Sequence, residues 1–328
     1  MRAVVIPRPG DPEVLTVADA PTPEPGRGQI RVRVRAAGVN RADLLQRRGA
    51  YPAPPGWPQE IPGLEYAGVV DAVGPGVVEW TTGARVMGLV GGGGYAEYVV
   101  VHEREAIPIP QGLAFEEAAA VPEVFITAHD ALFTQMRLTI GERVLIHAVG
   151  SGVGTAALQL AKAAGAFVFG SSRTAAKLER ARALGLDVPI DTSREDFVDV
   201  VLNRTAGEGV HVVLDLVGAP YLEGNLRALA MKGRIVVVGL TAGREAPIDL
   251  GALLRKRLRI SGTSLRARPL EEKIEAARRF RAHALPLLES GRVRPVVDGV
   301  WPLERAAEAH RRMEQNANFG KLVLQVSS

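Results

Sequence analysis

Residues 143–165 read RVLIHAVGSGVGTAALQLAKAAG. An apolar run, RVLIHAV, passes through the glycine turn GSGVG into a stretch with helical texture. A turn of this kind between a buried strand and a helix lets the backbone approach a pyrophosphate, whose charge is met by the N–H groups and dipole of the helix N-terminus. The expected donors are the amides of Ser151, Gly152, Val153 and Gly154. Aligned on Gly154, the first two glycine positions of the G-x-G-x-x-G pattern are Val149 and Ser151, a departure from the strict motif. The same texture repeats on the C-terminal side. AFVFGSS (166–172) leads into TAAKLERARALG (174–185), VHVVLDLVG (210–218) into YLEGNLRALAMKG (221–233), and RIVVVGL and LRISGTS follow. Continuous apolar strands alternating with amphipathic helices predict an α/β, doubly wound parallel sheet covered on both faces.

The second strand of this layout selects the nicotinamide cofactor. An acid about 20 residues past the glycines would hold the ribose 2′-OH of NAD, whereas a basic cluster suits a 2′-phosphate. Here the strand ends without an acid, in Ser171, Ser172, Arg173 and, at the helix start, Lys177. Cations at a helix N-terminus are unfavourable unless an anion lies nearby, so the sequence predicts NADPH.

Outside this segment the texture differs. The first third alternates short β-rich runs with turns (RAVVIP, GQIRVRVRAAGV, EYAGVVDAVGPGV, GARVMGLV, YAEYVVV), the pattern of a small, mostly antiparallel barrel or sandwich. The strict Val/Arg alternation of IRVRVRA predicts one buried and one solvated face. GGGG at 91–94 is expected to be a flexible loop. The closing strand GKLVLQV resembles the first third, so the expected domains are 1–121 with 264–328, and an inserted nucleotide-binding domain at 122–263. The chain of 328 residues is 47% apolar with a formal charge of +4 and no cysteine. Cysteine-ligated zinc, thiolate nucleophiles and disulfides are excluded. Basic residues interleave with acidic ones, which does not call for nucleic acid. No apolar stretch reaches membrane-spanning length and no signal-peptide pattern opens the chain, so a cytoplasmic protein is expected. The bias to arginine over lysine fits either thermal adaptation or a GC-rich genome.

Several motifs together resemble a known family: GVNRADLLQRRGAYP (38–52), IPGLEYAGVV (61–70), AAAVPEVFITAHDAL (118–132), the glycine turn and NFGKLVLQV (318–326). They are similar to the zinc-free quinone oxidoreductases, the ζ-crystallin-like branch of the medium-chain dehydrogenase/reductases, with bacterial and p53-inducible members the nearest likeness. The resemblance spans essentially the whole chain. It implies a GroES-like β-rich catalytic domain carrying an inserted Rossmann domain, NADPH as cofactor, and a quinone as substrate. Enones or other activated double bonds are an alternative, and a non-catalytic NADPH-binding protein is another. In zinc alcohol dehydrogenases of the same superfamily a cysteine and a histidine–glutamate pair stand where Asn40 and Leu64–Glu65 stand here, so no catalytic zinc is expected.

The resemblance also implies roles for single residues. Asn40 would donate a hydrogen bond to substrate or ribose, and Tyr51 would bring a hydroxyl to a carbonyl; a turn-stabilising Asn and a core Tyr are the alternatives. Thr127, Asn318 and Lys321 would lie on the nicotinamide side. His147, before the glycine turn, reads as structural. A homodimer is expected through an edge strand of the nucleotide domain.

Overall fold

The computed structural model describes residues 1–326. The chain forms two compact units, Met1–Ile126 with Leu265–Ser328, and Thr127–Ser264. The junction falls inside a helix, Pro122–His129.

The first unit opens with the antiparallel pair β1 (Arg2–Val5) and β2 (Thr16–Asp19). It continues through β3 (Gln29–Val39), α1 (Arg41–Arg47), β4 (Glu65–Val73), β5 (Arg85–Leu89), β6 (Tyr98–His102), β7 (Ile107–Pro108), α2 (Phe115–Ala118) and α3 (Pro122–His129). The second unit contains β8 (Arg143–Ile146), α4 (Gly152–Ala163), β9 (Phe167–Ser172), α5 (Ala175–Arg182), β10 (Val188–Asp191), α6 (Phe197–Arg204), β11 (Val210–Asp215), α7 (Leu222–Ala228), β12 (Leu229–Val237), α8 (Leu250–Lys256) and β13 (Arg259–Gly262). The chain then completes the first unit with α9 (Leu270–His283), α10 (Leu285–Glu289), β14 (Val297–Pro302), α11 (Ala306–Glu314) and β15 (Lys321–Gln325).

In the second unit the strands lie in the order β10-β9-β8-β11-β12-β13, all parallel. This is the doubly wound order, whose switch point lies between the first strand, β8, and the fourth, β11. Apolar side chains such as Leu145, Phe169, Val213 and Ile235 are buried between sheet and helices, which is why these strands read as continuous apolar runs.

In the first unit the sheet runs β14-β15-β3-β4-β5-β7, with β6 also on β3. Along β3, Val32 and Val34 are buried and Arg33 is exposed, as the alternation predicts. Arg31 is only half-exposed, with an ion pair to Asp71 at 2.7 Å, so this arginine is a cross-strand partner as well as a solvated one. Two registers position the site. β15 pairs antiparallel with β3 through Leu322↔Val39, and the next step brings Lys321 opposite Asn40. β3 pairs antiparallel with β4, which brings Glu65 against Gly38. Gly91–Gly94 departs from the expected flexible loop: all four residues are buried, and Gly93 N and Gly94 N donate to Ile61 O and Gly63 O. The lack of side chains here serves close packing of backbone on backbone.

Candidate active site

In the second unit, β8 leads to a turn in which Ala148 takes a left-handed conformation (φ 48°). Ser151 caps α4: its Oγ accepts from Gly154 N at 3.0 Å. Of the four amides expected to meet a phosphate, that of Gly154 therefore has a partner within the cap, and that of Ser151 donates to Ala148 O at 2.8 Å. Gly152 and Val153 are the first-turn positions whose N–H groups have no intrahelical acceptor. A Cβ on Gly154 would stand 2.5 Å from Ala148 O, so this glycine lets the helix approach the turn.

His147 anchors the turn from below. Buried, it lies 2.7 Å from Ser171 Oγ through Nδ1 and 2.7 Å from Asn225 Oδ1 through Nε2, and Asn225 in turn donates to Asp215 at 3.1 Å. Burial pushes its pKa down, and Phe197 and Tyr221 pack edge-on against the ring. Ser171 thus directs its hydroxyl into this structural network. Ser172 Oγ accepts from Thr174 N at 3.2 Å. Arg173 is exposed and Lys177 half-buried, and α5 begins with neither a side-chain cap nor an acid in its first turn. Thr127 is buried within α3.

In the other unit the two strand registers assemble a buried polar cluster. Lys321 Nζ donates to Glu65 Oε1 at 2.5 Å, Asn40 Oδ1 at 2.6 Å and Val39 O at 2.9 Å, which engages all three of its hydrogens. Asn40 Nδ2 donates to Glu65 Oε1 at 2.8 Å and to Gly38 O at 3.3 Å. Both amide hydrogens are therefore engaged inside the protein, and Asn40 acts here as the organiser of Glu65 and Lys321. Glu65 Oε2 accepts from Glu123 N at 2.7 Å, and Gly38 makes room for this carboxylate, since a Cβ there would stand 2.1 Å from Oε1. Asn318 Nδ2 donates to Gly320 O at 2.8 Å, holding the turn that delivers Lys321.

A second chain of polar groups starts at the Asn40 backbone. Asn40 N donates to Asp43 Oδ2 at 2.8 Å, and Asp43 N donates back to the Asn40 carbonyl at 3.0 Å at the start of α1. Tyr95 OH lies 3.0 Å from the same oxygen and 3.1 Å from His310 Nε2. Arg47 lies 3.1 Å from His310 Nδ1 and can only donate, so the imidazole proton is on Nε2 and the bonds run in one direction, from Arg47 through His310 and Tyr95 to Asp43. Burial pushes the Asp43 carboxyl up to about 6, against the opposing bonds from Asn40 and Tyr95. Burial, followed by the Arg47 charge, pushes His310 down to about 3.

Tyr51 is half-buried, and its ring lies beneath the Arg266 guanidinium, 4.9 Å away. Arg266 also donates to Tyr51 O at 3.0 Å, Gly91 O at 2.8 Å and Gln46 Oε1, which fixes the loop carrying Tyr51. Sequence reasoning missed Arg266, Asp43, Tyr95, His310 and Glu123. A charged residue inside an otherwise apolar strand, Glu65 in GLEYAGVV, was the available signal that a buried counter-charge must exist.

These donors do not fit zinc. Asn40 and Leu64 supply neither thiolate nor imidazole, and among the described residues no three His, Cys, Asp or Glu side chains are arranged to hold a metal. Among the described residues no helix is long and apolar enough to cross a membrane.

A glycine turn at the switch point of a parallel sheet, in a chain that also carries a β-rich unit with a buried acid–amide–lysine cluster, defines a nicotinamide-dependent oxidoreductase. Residues 26–111 match the alcohol dehydrogenase GroES-like domain, and residues 152–282 match the zinc-binding dehydrogenase domain. The chain is 32% identical to the quinone oxidoreductase of Rattus norvegicus, over 99% of this chain and 97% of that one. Among solved structures, an NAD-dependent alcohol dehydrogenase is 39% identical with a TM-score of 0.90, each chain covered completely. The quinone oxidoreductase of Escherichia coli complexed with NADPH is 31% identical with a TM-score of 0.87, over 99% of this chain and 100% of that one. The chain belongs to the medium-chain dehydrogenase/reductase superfamily, with quinone oxidoreductases among its full-length relatives.

Proposed function

We propose that the protein is an NADPH-dependent, metal-free reductase of quinones that acts in the cytoplasm as a homodimer. The observation that carries the cofactor choice is the end of β9, where Ser172 and Arg173 stand instead of an acid and lead into a helix start bearing Lys177 and no first-turn acid. A 2′-phosphate is the kind of anion that a cationic helix start favours. The first-turn amides of Gly152 and Val153 would hold the pyrophosphate, on a turn that Ser151 and Gly154 fix through their own bonds. The bound nicotinamide supplies a hydride, and the protein contributes binding, orientation and exclusion of water.

The choice of quinone follows from what the cluster leaves available. Lys321 and Asn40 have their hydrogens engaged internally, so neither offers a ready electrophile to an oxyanion. A conjugated acceptor spreads the incoming charge over its own oxygens and needs no Lewis acid. Tyr51 would contribute its hydroxyl to the substrate carbonyl. The dimer reading is supported by β13, an outermost strand, and by α8, which buries none of its residues and leaves Leu250 64% and Leu254 78% exposed. Sedimentation as a monomer would remove it.

The test is NADPH consumption with an ortho-quinone, a para-quinone and a simple enone in parallel, with NADH as control and a chelator present. Quinone turnover is the expected result. Turnover of the enone alone transfers the assignment to activated double bonds. NADPH binding with no turnover of any acceptor overturns the enzymatic reading in favour of a non-catalytic NADPH-binding role.

A further inference from the structure

The bonds that run from Arg47 to Asp43 have a fixed direction, and that direction dictates the state of the last group. Arg47, His310, Tyr95 and Asp43 are all fully buried. Arg47 can only donate, so His310 Nδ1 accepts and the single imidazole proton sits on Nε2, facing Tyr95. Tyr95 OH then donates to Asp43 Oδ2 at 3.0 Å. The same oxygen accepts from Asn40 N at 2.8 Å, and Oδ1 accepts from Gly63 N at 3.3 Å. Asp43 thus meets three donors and no acceptor, an arrangement that only the ionised carboxyl satisfies in full.

One added proton has no good place. On Oδ2 it faces Asn40 N–H and the Tyr95 hydroxyl. Tyr95 could receive it only by turning its own hydrogen to His310 Nε2, which would move the imidazole proton to Nδ1, against the Arg47 guanidinium. Arg47 therefore locks the chain against reversal. On Oδ1 the proton opposes only Gly63 N–H, the longest of the three bonds, and Oδ2 keeps both of its donors.

The charges acting on Asp43 and its partners are Lys321 of β15, Arg266 ahead of α9, and Arg47, which is paired with Glu314 of α11, together with the acids Glu65 of β4 and Glu123 of α3. Burial pushes the Asp43 carboxyl up to about 6, against the bonds from Asn40 and Tyr95 and the two cations Lys321 and Arg266. His310, held down to about 3, stays neutral where Asp43 titrates, so the lock persists. A carboxyl whose folded value is raised takes up its proton in the folded chain before the unfolded chain does. Stability is therefore not lost through this group as pH falls past 6, and the change is a local rearrangement.

We propose that Asp43 is a pH-sensitive latch: its carboxylate ties the Gly63 turn to the start of α1, and one proton from solvent, taken up on Oδ1, releases Gly63 while Asn40 and Tyr95 stay bound. Gly63 stands two residues before Glu65, the first residue of β4. The latch therefore joins the segment that carries Glu65 to the helix start that carries Asn40. It goes beyond the quinone-reductase reading and does not depend on it.

The experiment follows the Gly63 amide by NMR in the full-length protein, without cofactor. Between about pH 7.5 and about pH 5 its exchange protection, corrected for the intrinsic rate, should fall about tenfold, the share of one lost hydrogen bond, while Asn40 N–H stays protected. The Asp43 carboxyl carbon should titrate with the same midpoint, near 6. Asp43→Asn, whose NH2 group faces Gly63 when its oxygen serves Asn40 and Tyr95, should show the low-pH behaviour at about pH 7.5. His310→Gln can present either oxygen or nitrogen to Tyr95, which lets the chain reverse, so its Gly63 amide should stay protected at both pH values. Wild-type Gly63 protection that is equal at the two pH values, or an Asp43 carboxyl that stays ionised at about pH 5, overturns the proposal. So does wild-type-like Gly63 protection in D43N, or a tenfold loss that persists in H310Q.

Discussion

Lys321→Met tests whether the Lys321–Glu65 pair holds the β-rich unit together. Methionine keeps the length and most of the apolar stem of lysine, so the loss is confined to the ammonium and its three bonds. Glu65 is fully buried and, after the substitution, keeps its bonds from Asn40 Nδ2 at 2.8 Å and Glu123 N at 2.7 Å. Removing one partner of a buried ion pair costs about 3–5 kcal/mol, because an uncompensated charge remains. With two of its three donors retained, the Glu65 carboxylate places the cost at the lower end, about 3 kcal/mol. At about 2–4 °C per kcal/mol for a unit of this size, the melting temperature should fall by about 6–12 °C. Differential scanning calorimetry on wild type, K321M, E65Q and the double variant closes a thermodynamic cycle. The double variant should recover more than half of the K321M loss, since the neutral amide that E65Q introduces needs no counter-charge. A K321M melt within about 2 °C of wild type, or a double variant whose loss is the plain sum of the two singles, would refute the reasoning.

Three further outcomes follow from the same geometry. Arg266→Ala should raise the quinone KM about tenfold with a smaller change in kcat and unchanged NADPH affinity, because it releases the Tyr51 loop; Arg266→Lys should not restore it, since lysine cannot reproduce a three-way fork. Steady-state kinetics with a para-quinone reads both. Arg173→Ala combined with Lys177→Ala should lower the NADPH-to-NADH ratio of kcat/KM by at least about tenfold, as expected for a 2′-phosphate held by two cations; an unchanged ratio would remove them from the cofactor site. His310 has a folded pKa near 3 against an unfolded value near 6.5, so the unfolded chain binds the extra proton and stability is lost as pH falls from about 6.5 towards 3. The urea midpoint of the wild type should therefore drop between about pH 7 and pH 5 by the equivalent of up to about 2 kcal/mol, and His310→Gln should remove that part of the drop. The Asp43 carboxyl, raised to about 6, contributes in the opposite sense over the same range, so the comparison must be made between these two proteins.

The parallel sheet was legible because its strands are buried on both faces and its helices are amphipathic, a pattern that needs no long-range information. The glycine turn between β8 and α4 was legible for the same reason: Ser151 and Gly154 lie within a single turn, where one caps the other. The polar cluster was not. Lys321 and Asn40 meet only because β15 pairs with β3 at Leu322↔Val39, and nothing near either residue announces the other. Ser171 reads as a cofactor contact from its position at a strand end; in the structure its hydroxyl lies 2.7 Å from His147 Nδ1, a partner on the neighbouring strand's end that the local sequence does not announce. Gly91–Gly94 reads as a flexible loop from composition, but composition cannot separate glycines that give freedom from glycines that admit a neighbouring backbone.

The cluster also bears on why this chain suits a self-sufficient electron acceptor. Where zinc alcohol dehydrogenases of the superfamily carry metal ligands, this chain has Asn40 and Leu64, and the remaining acid, Glu65, must be balanced in another way. The balance is the Lys321 ammonium, 2.5 Å away and buried. A metal with an open coordination position offers its charge to a substrate oxygen, whereas an ammonium with three hydrogens directed at Glu65, Asn40 and Val39 offers none. The positive charge is therefore turned inward, where it holds three strands in register. On the proposed reading the substrate accommodates the hydride through its own conjugation, because no charge of this cluster is directed at it.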